Sequence, residues 1–113
     1  MCIRDRFFAH EPVMAMLSYS NFGSDKQGSP LKVHEAIDFL HKTYPDMVVD
    51  GEMQVNFALD KKLRDDMYPF NKLKGQDVNT LIFPNLSSAN SAYKLLDTLG
   101  ITETIGPIQM GLN

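Results

Sequence analysis

The chain has 113 residues, 43% of them hydrophobic and 22% charged, with a formal net charge of −3. That length suits one ordinary domain that can bury a core without covalent staples, and the acidic balance argues against a nucleic-acid surface, which needs clustered Lys and Arg. Cys2 is the only cysteine, which excludes a disulfide scaffold, and no apolar run approaches the roughly 20 residues of a membrane-spanning helix.

The start, Met1 to Arg6, lacks the apolar stretch of a secretory signal, so the expected setting is the cytoplasm, away from membranes and nucleic acid. The first apolar run, Val13 to Leu17, reads as a strand. It leads into Ser18-Tyr19-Ser20-Asn21-Phe22-Gly23-Ser24, a polar loop. Val33, Ala36, Ile37, Leu40 and Tyr44 then recur at three- and four-residue steps, the signature of one helix face. Ser29 is the expected N-cap, with Pro30 at the first helical position, and Pro45 bars continuation.

Met47 to Val49 predicts a second strand, followed by Asp50-Gly51-Glu52-Met53-Gln54. A weaker helix is expected over Ala58 to Met67, with Leu59, Leu63 and Met67 as its stripe and Lys61, Lys62, Arg64, Asp65 and Asp66 facing water. Val78 to Phe83 reads as a third strand and runs into Pro84-Asn85-Leu86-Ser87-Ser88-Ala89-Asn90. Ser87 or Ser88 would cap the clearest helix, in which Ala89, Ala92, Tyr93, Leu96 and Leu99 line one side. Gly100 supplies its left-handed end. Thr104 to Ile108 reads as a fourth strand. Short, continuously apolar strands alternating with helices predict an α/β fold with a mainly parallel sheet.

In open α/β sheets, ligands bind beyond the carboxyl ends of the strands. The three polar segments that follow the first three strands therefore converge on one edge. Ser18 to Ser24 offers hydroxyls, an amide and flexible N–H groups suited to an anion, but lacks both a Walker Lys and a dinucleotide glycine pattern. An ordinary polar loop is the plain alternative. Asp50 and Glu52, two residues apart on a strand, would share a face as an acid/base or metal pair. Solvated or locally hydrogen-bonded strand-end carboxylates are the alternative. His34 and His41, seven apart, lack the four-residue step of a helical zinc pair and read as surface or half-buried. His10 reads likewise, and no catalytic nucleophile or metal set is complete.

Together these segments resemble the phosphate acetyl/butyryltransferase family. The resemblance rests on Met16 to Ser24, Pro45 to Gln54, Leu81 to Leu86, Asn90 to Lys94, and Ile105 to Ile108 with Gly111-Leu112, and covers about residues 7 to 113. Within the family, Met67-Tyr68-Pro69-Phe70-Asn71-Lys72-Leu73 looks like the version at the C-terminal end of bacterial NADP-dependent malic enzymes. Asn85, where stand-alone transferases usually carry Asp, points the same way. Residues 1 to 6 match nothing in the family and are expected to be a non-native or disordered start.

The resemblance implies a three-layer αβα sandwich of two subdomains, with acyl-CoA and phosphate in the cleft between them. Ser18, Ser20, Asn21, Gly23 and Ser24 would form the anion-facing loop, and Asp50, Glu52 and Asn85 the cleft edge. The family's catalytic Ser-Arg pair and following Asp fall past Asn113, and a family arginine falls at Thr98, so no catalytic residue is expected here. A missing cation removes the partner of transferred charge. The implied function is an acetyl-CoA-binding regulatory and oligomerising module of a homo-oligomeric malic enzyme, whose NADP and divalent metal (Mg or Mn) would lie outside this chain. A true phosphate acetyltransferase is the second reading, and a small doubly wound signalling domain the third. The chain is expected to be most of one subdomain, folding poorly alone or exposing an apolar edge.

Overall fold

A computed structural model describes residues 11–106. The start at residues 1 to 6, Cys2, His10 and the final residues 107–113 lie outside the described residues. Three strands form the sheet: β1 (Met14–Leu17), β2 (Val49–Met53) and β3 (Thr80–Ile82). Their spatial order is β2-β1-β3, and both pairings with β1 are parallel. The helices are α1 (Gly28–Thr43), α2 (Val55–Leu59), α3 (Lys61–Met67) and α4 (Leu86–Leu99).

Because strand side chains alternate, β1 feeds two cores. Met14 joins Val49 and Ile37 on the face covered by α1. Ala15 and Leu17 join Met53, Ala58 and Leu73 on the opposite face, under α2 and the segment after α3. Helix on one face and helix on the other is the expected αβα layering, and burial on both faces explains why β1 reads as an unbroken apolar run.

The helix boundaries depart from the sequence expectation in instructive ways. Helix α1 begins at Gly28 after Gln27, whose side chain makes no capping bond, so Ser29 lies within the first turn rather than at the cap. The single helix expected over Ala58 to Met67 is two helices. Asp60 ends α2, and its carboxylate accepts from Leu63 N at 3.0 Å as the N-cap of α3. The break turns the intended stripe outward: Leu59 and Met67 are exposed, while Ala58 and Arg64 are buried.

Arg64, expected to face water, is fully enclosed. Its guanidinium donates to Ala58 O at 3.0 Å, Leu73 O at 3.1 Å and Gln76 O, with a longer contact to Phe57 O at 3.4 Å. Asp65 Oδ1 lies 3.6 Å from Arg64 Nε. One planar fork thus ties carbonyls at the end of α2 to carbonyls of the connector to β3, including Leu73 O, which also accepts from Gln76 N at 2.9 Å.

Helix α4 is capped by Asn85 rather than by Ser87 or Ser88: Asn85 Oδ1 accepts from Ser88 N at 2.8 Å. Gly100, at φ +66°, closes it in the left-handed conformation, as the sequence predicts. No residue of α4 is buried, so the expected packing role of its apolar face is not realised among the described residues. Leu86, Leu95, Leu96, Leu99, Ile101 and Ile105 stand exposed along and after it, an uncovered apolar edge. Thr104 to Gly106 are not strand, and the rest of the expected fourth strand lies outside the described residues.

Candidate functional site

The carboxyl ends of β1 and β2 meet the polar loop that follows β1. Ser18 N donates to Met53 O at 2.9 Å, continuing the β1–β2 ladder by one more bond. The loop then folds on its own side chains. Ser20, almost completely buried, has its hydroxyl 2.7 Å from Ser24 Oγ and accepts from Asp25 N at 2.8 Å. Ser24 Oγ accepts from Asn21 N at 3.0 Å. The Tyr19 hydroxyl donates to Asp25 Oδ2 at 2.6 Å, and that bond chiefly raises the Tyr19 pKa.

Asn21 is matched to Gln54 in a reciprocal pair. Asn21 Oδ1 accepts from Gln54 N at 2.8 Å, and Asn21 Nδ2 donates to Gln54 Oε1 at 3.0 Å. Gln54 Nε2 in turn donates to Tyr19 O at 2.9 Å. The turn at Phe22 and Gly23 has positive φ at both residues, +45° and +87°.

The loop's polar groups therefore serve mostly to hold the loop. Ser20, Asn21 and Ser24, expected to face an anion, have hydroxyl and amide groups engaged within it or with Gln54, and the Gly23 N–H is directed at Glu52. Ser18 does line an open cleft of about 630 Å³, which spreads between the ends of β1 and β3. Tyr19, Ser29, Gln54 and Asn56 supply further polar lining, with Asn85 and Ser88 opposite. Leu17, Val55, Phe83 and Pro84 make its apolar part. No Lys or Arg is among these described lining residues.

Asp50 and Glu52 are not among the residues that line this opening, and they do not share a face. The register pairs Ala15 with Asp50 and Leu17 with Met53, leaving one extra residue on β2. That bulge at Glu52 shifts the alternation by one. Asp50 stays on the face of Ala15 and Leu17, where its Oδ2 accepts from Lys72 N at 2.7 Å. Glu52 turns to the α1 side, where its Oε1 accepts from Gly23 N at 3.1 Å and lies 3.1 Å from His34 Nδ1. Both carboxylates are buried and hydrogen-bonded, so they are not solvated but fit the locally hydrogen-bonded alternative.

Two histidines that sequence spacing set aside thus back onto these carboxylates. His34 reaches Glu52, with its other nitrogen 3.6 Å from Asp38 Oδ2. His41 Nε2 lies 2.8 Å from Val49 O and 3.9 Å from Asp50 Oδ1. Their seven-residue spacing does place both on the α1 face toward β2, the one sequence signal that could have found them.

Asn85 lines the cleft but spends its side-chain oxygen on the α4 cap. Gln54, Asn56, Ser29 and Ser88 are lining residues that sequence reasoning did not select, because only the folded chain brings the start of α1, the start of α2 and the start of α4 to one opening.

A parallel sheet between helical layers, with a ligand-sized cleft at the carboxyl ends of its strands, defines an α/β protein of the open, ligand-binding type. The chain belongs to the phosphate acetyl/butaryl transferase family, whose model matches residues 3–113. It is 40% identical over 107 residues to an NADP-dependent malic enzyme of Haemophilus influenzae, covering 94% of this chain and 14% of that protein. It is 41% identical over 107 residues to a phosphate acetyltransferase of Treponema pallidum, covering 93% of this chain and 32% of that one. The EutD phosphotransacetylase structure from Staphylococcus aureus superposes with a TM-score of 0.81 at 32% identity, covering 92% of this chain and 32% of that chain. A phosphotransacetylase structure from Streptococcus pyogenes does so with a TM-score of 0.75 at 36% identity, covering 86% and 29%. The chain thus spans at most about a third of the length of these relatives. The fold is that of the phosphotransacetylases.

Proposed function

We propose that the chain forms one wall of an acyl-CoA cleft in a phosphate-acetyltransferase-like domain, and that this domain serves an NADP-dependent malic enzyme as an acetyl-CoA-responsive, oligomerising module in the cytoplasm. The observation that carries the reading is the cleft itself. Its mixed lining of hydroxyls, carboxamides and apolar side chains suits a thioester with an amide-bearing arm. The same lining offers no Lys or Arg, so this wall holds no fixed charge for a phosphate in transfer. That favours binding over transfer, and malic-enzyme relatives match at 38–40% identity, as phosphate acetyltransferases do at 37–41%.

Malate oxidation would draw on NADP and a divalent metal held by residues other than these. No group of three His, Cys, Asp or Glu among the described residues is arranged to hold an ion. Acetyl-CoA would act by binding one conformation of the homo-oligomer more tightly than another.

The test uses the intact protein. Malate-dependent NADP reduction is followed with and without acetyl-CoA, and acetyl exchange between CoA and phosphate is assayed in parallel. The reading expects a rate that changes with acetyl-CoA and no exchange. Malate oxidation indifferent to acetyl-CoA would sink it. A true phosphate acetyltransferase is the second reading, supported by the Treponema relative and by both phosphotransacetylase structures. It expects exchange without malate oxidation.

A further inference from the structure

Glu52 is a fully buried ionisable side chain for which the cleft reading has no direct use. It is 0% exposed, and its Oε2 has no hydrogen-bond partner among the described residues. A buried carboxylate with a free oxygen persists only where something repays its desolvation. Beyond the sheet, the partners of Glu52 lie on the loop and on α1. Its main-chain O accepts from Phe22 N at 2.8 Å, its Oε1 accepts from Gly23 N at 3.1 Å, and the same oxygen lies 3.1 Å from His34 Nδ1.

Phe22 and Gly23 are the residues with positive φ in this loop. Phe22 is no glycine, and a side chain in that region is held there only when its surroundings dictate it. Two successive amides ending on one buried residue are such surroundings. The turn they fix closes the segment Ser18 to Ser24, whose first residues, Ser18 and Tyr19, line the cleft.

We propose that Glu52, paired with His34, is a positioning residue: it locks the Phe22–Gly23 turn and so sets the wall on which the acyl-CoA lies. The part that concerns acyl-CoA rests on the cleft reading above. The carboxylate is suited to this work because one oxygen can accept both the Gly23 N–H and a protonated His34 Nδ1, and bonds to a charged acceptor are stronger than neutral ones. His34 in turn is held between Glu52 and Asp38.

The experiment compares wild type, Glu52→Gln, Glu52→Ala and His34→Ala in the intact protein. Amide hydrogen exchange is read without ligand, and acetyl-CoA binding by calorimetry. In Glu52→Ala, exchange at Gly23 should rise about tenfold or more, from loss of a charge-assisted bond, while Met14 and Ile37 keep wild-type protection. Acetyl-CoA binding should weaken about tenfold in step. Glu52→Gln, which keeps an acceptor, should recover most of both. His34 is half-exposed, so its replacement leaves the core intact and should give the same local pattern at smaller amplitude.

A merely structural role would raise exchange at Met14 and Ile37 as well, and that result overturns the proposal. So does unchanged exchange at Gly23 in both Glu52→Ala and His34→Ala. Loosened exchange with undiminished acetyl-CoA binding overturns the link to the wall. Absence of acetyl-CoA binding in the wild type would overturn the cleft reading, and with it the acyl-CoA part of this proposal, while the exchange data still decide the lock.

Discussion

Replacing Arg64 tests whether one buried fork holds the α2–α3 corner together. Arg64→Met keeps a long apolar stem but removes the guanidinium that bonds Ala58 O, Leu73 O and Gln76 O and approaches Phe57 O. Three well-formed bonds from a charged donor, at about 1.5 kcal/mol each, amount to about 4–5 kcal/mol. Against that stands the relief of no longer burying a charge whose nearest carboxylate, Asp65, is 3.6 Å away. Burial costs a cation several kcal/mol, though this one is well coordinated. The balance expected is a net loss of about 3 kcal/mol, a large part of the roughly 5–15 kcal/mol that holds a domain folded.

Urea denaturation of wild type and Arg64→Met, followed by circular dichroism, measures it, and the melting temperature should fall by about 10–20 °C. Arg64→Lys is the decisive control. An ammonium keeps the charge but cannot reach carbonyls on both sides of the fork, so Lys should recover less than half of the loss. A Met variant within about 1 kcal/mol of wild type would refute the reasoning, because surface changes alone lie in that range. A fully rescued Lys variant would show that charge, not fork geometry, does the work.

Three further outcomes follow from other sites. Gly51→Ala should abolish the soluble fold, since a Cβ there would collide with Met16 O of the neighbouring strand and the backbone sits at φ +148°; soluble yield and circular dichroism read it, and a well-folded Ala variant would contradict the close approach. Asp65 has its pKa lowered by the Gly75 N–H, then by the Asn71 amide, with Arg64 and Lys74 adding to it. A depressed carboxylate pKa gives stability that is present above the unfolded value and lost as pH falls through the folded one, so Asp65→Asn should flatten the acid limb of stability below about pH 4. Asn85→Ala should cost about 1 kcal/mol by removing the cap on Ser88 N, whereas Asn85→Asp should hold or gain stability, because a carboxylate caps equally well and suits the helix N-terminus; exchange of α4 amides distinguishes the two.

How much of this was legible beforehand depends on the range of the interactions involved. Val33 and Ile37 are buried on α1 as their spacing predicts, because helix periodicity is a local property. The unbroken apolar run at β1 announced a strand buried on both faces, and Gly100 its helix end. Asp60, by contrast, looked like one more polar residue in a helix, and only its bond to Leu63 N shows that it divides two. Arg64 looked like a solvated charge, because no local pattern reveals that carbonyls at residues 57, 58, 73 and 76 will gather around it.

The candidate site divides in the same way. The sequence by itself determined the α/β class, the family, and the convergence of three polar segments on one sheet edge, since these follow from the order of short apolar runs and from ordered motifs. The tertiary structure decided what each polar group there does. A single extra residue in β2 sends Glu52 to His34 and leaves Asp50 on the opposite face, which strict alternation along the strand does not predict. It also decided that Ser20, Asn21 and Ser24, expected to face an anion, bond to one another or to Gln54. Local pattern fixes which residues form an element, but hydrogen bonds between groups some 30 residues apart exist only once the chain has closed on itself.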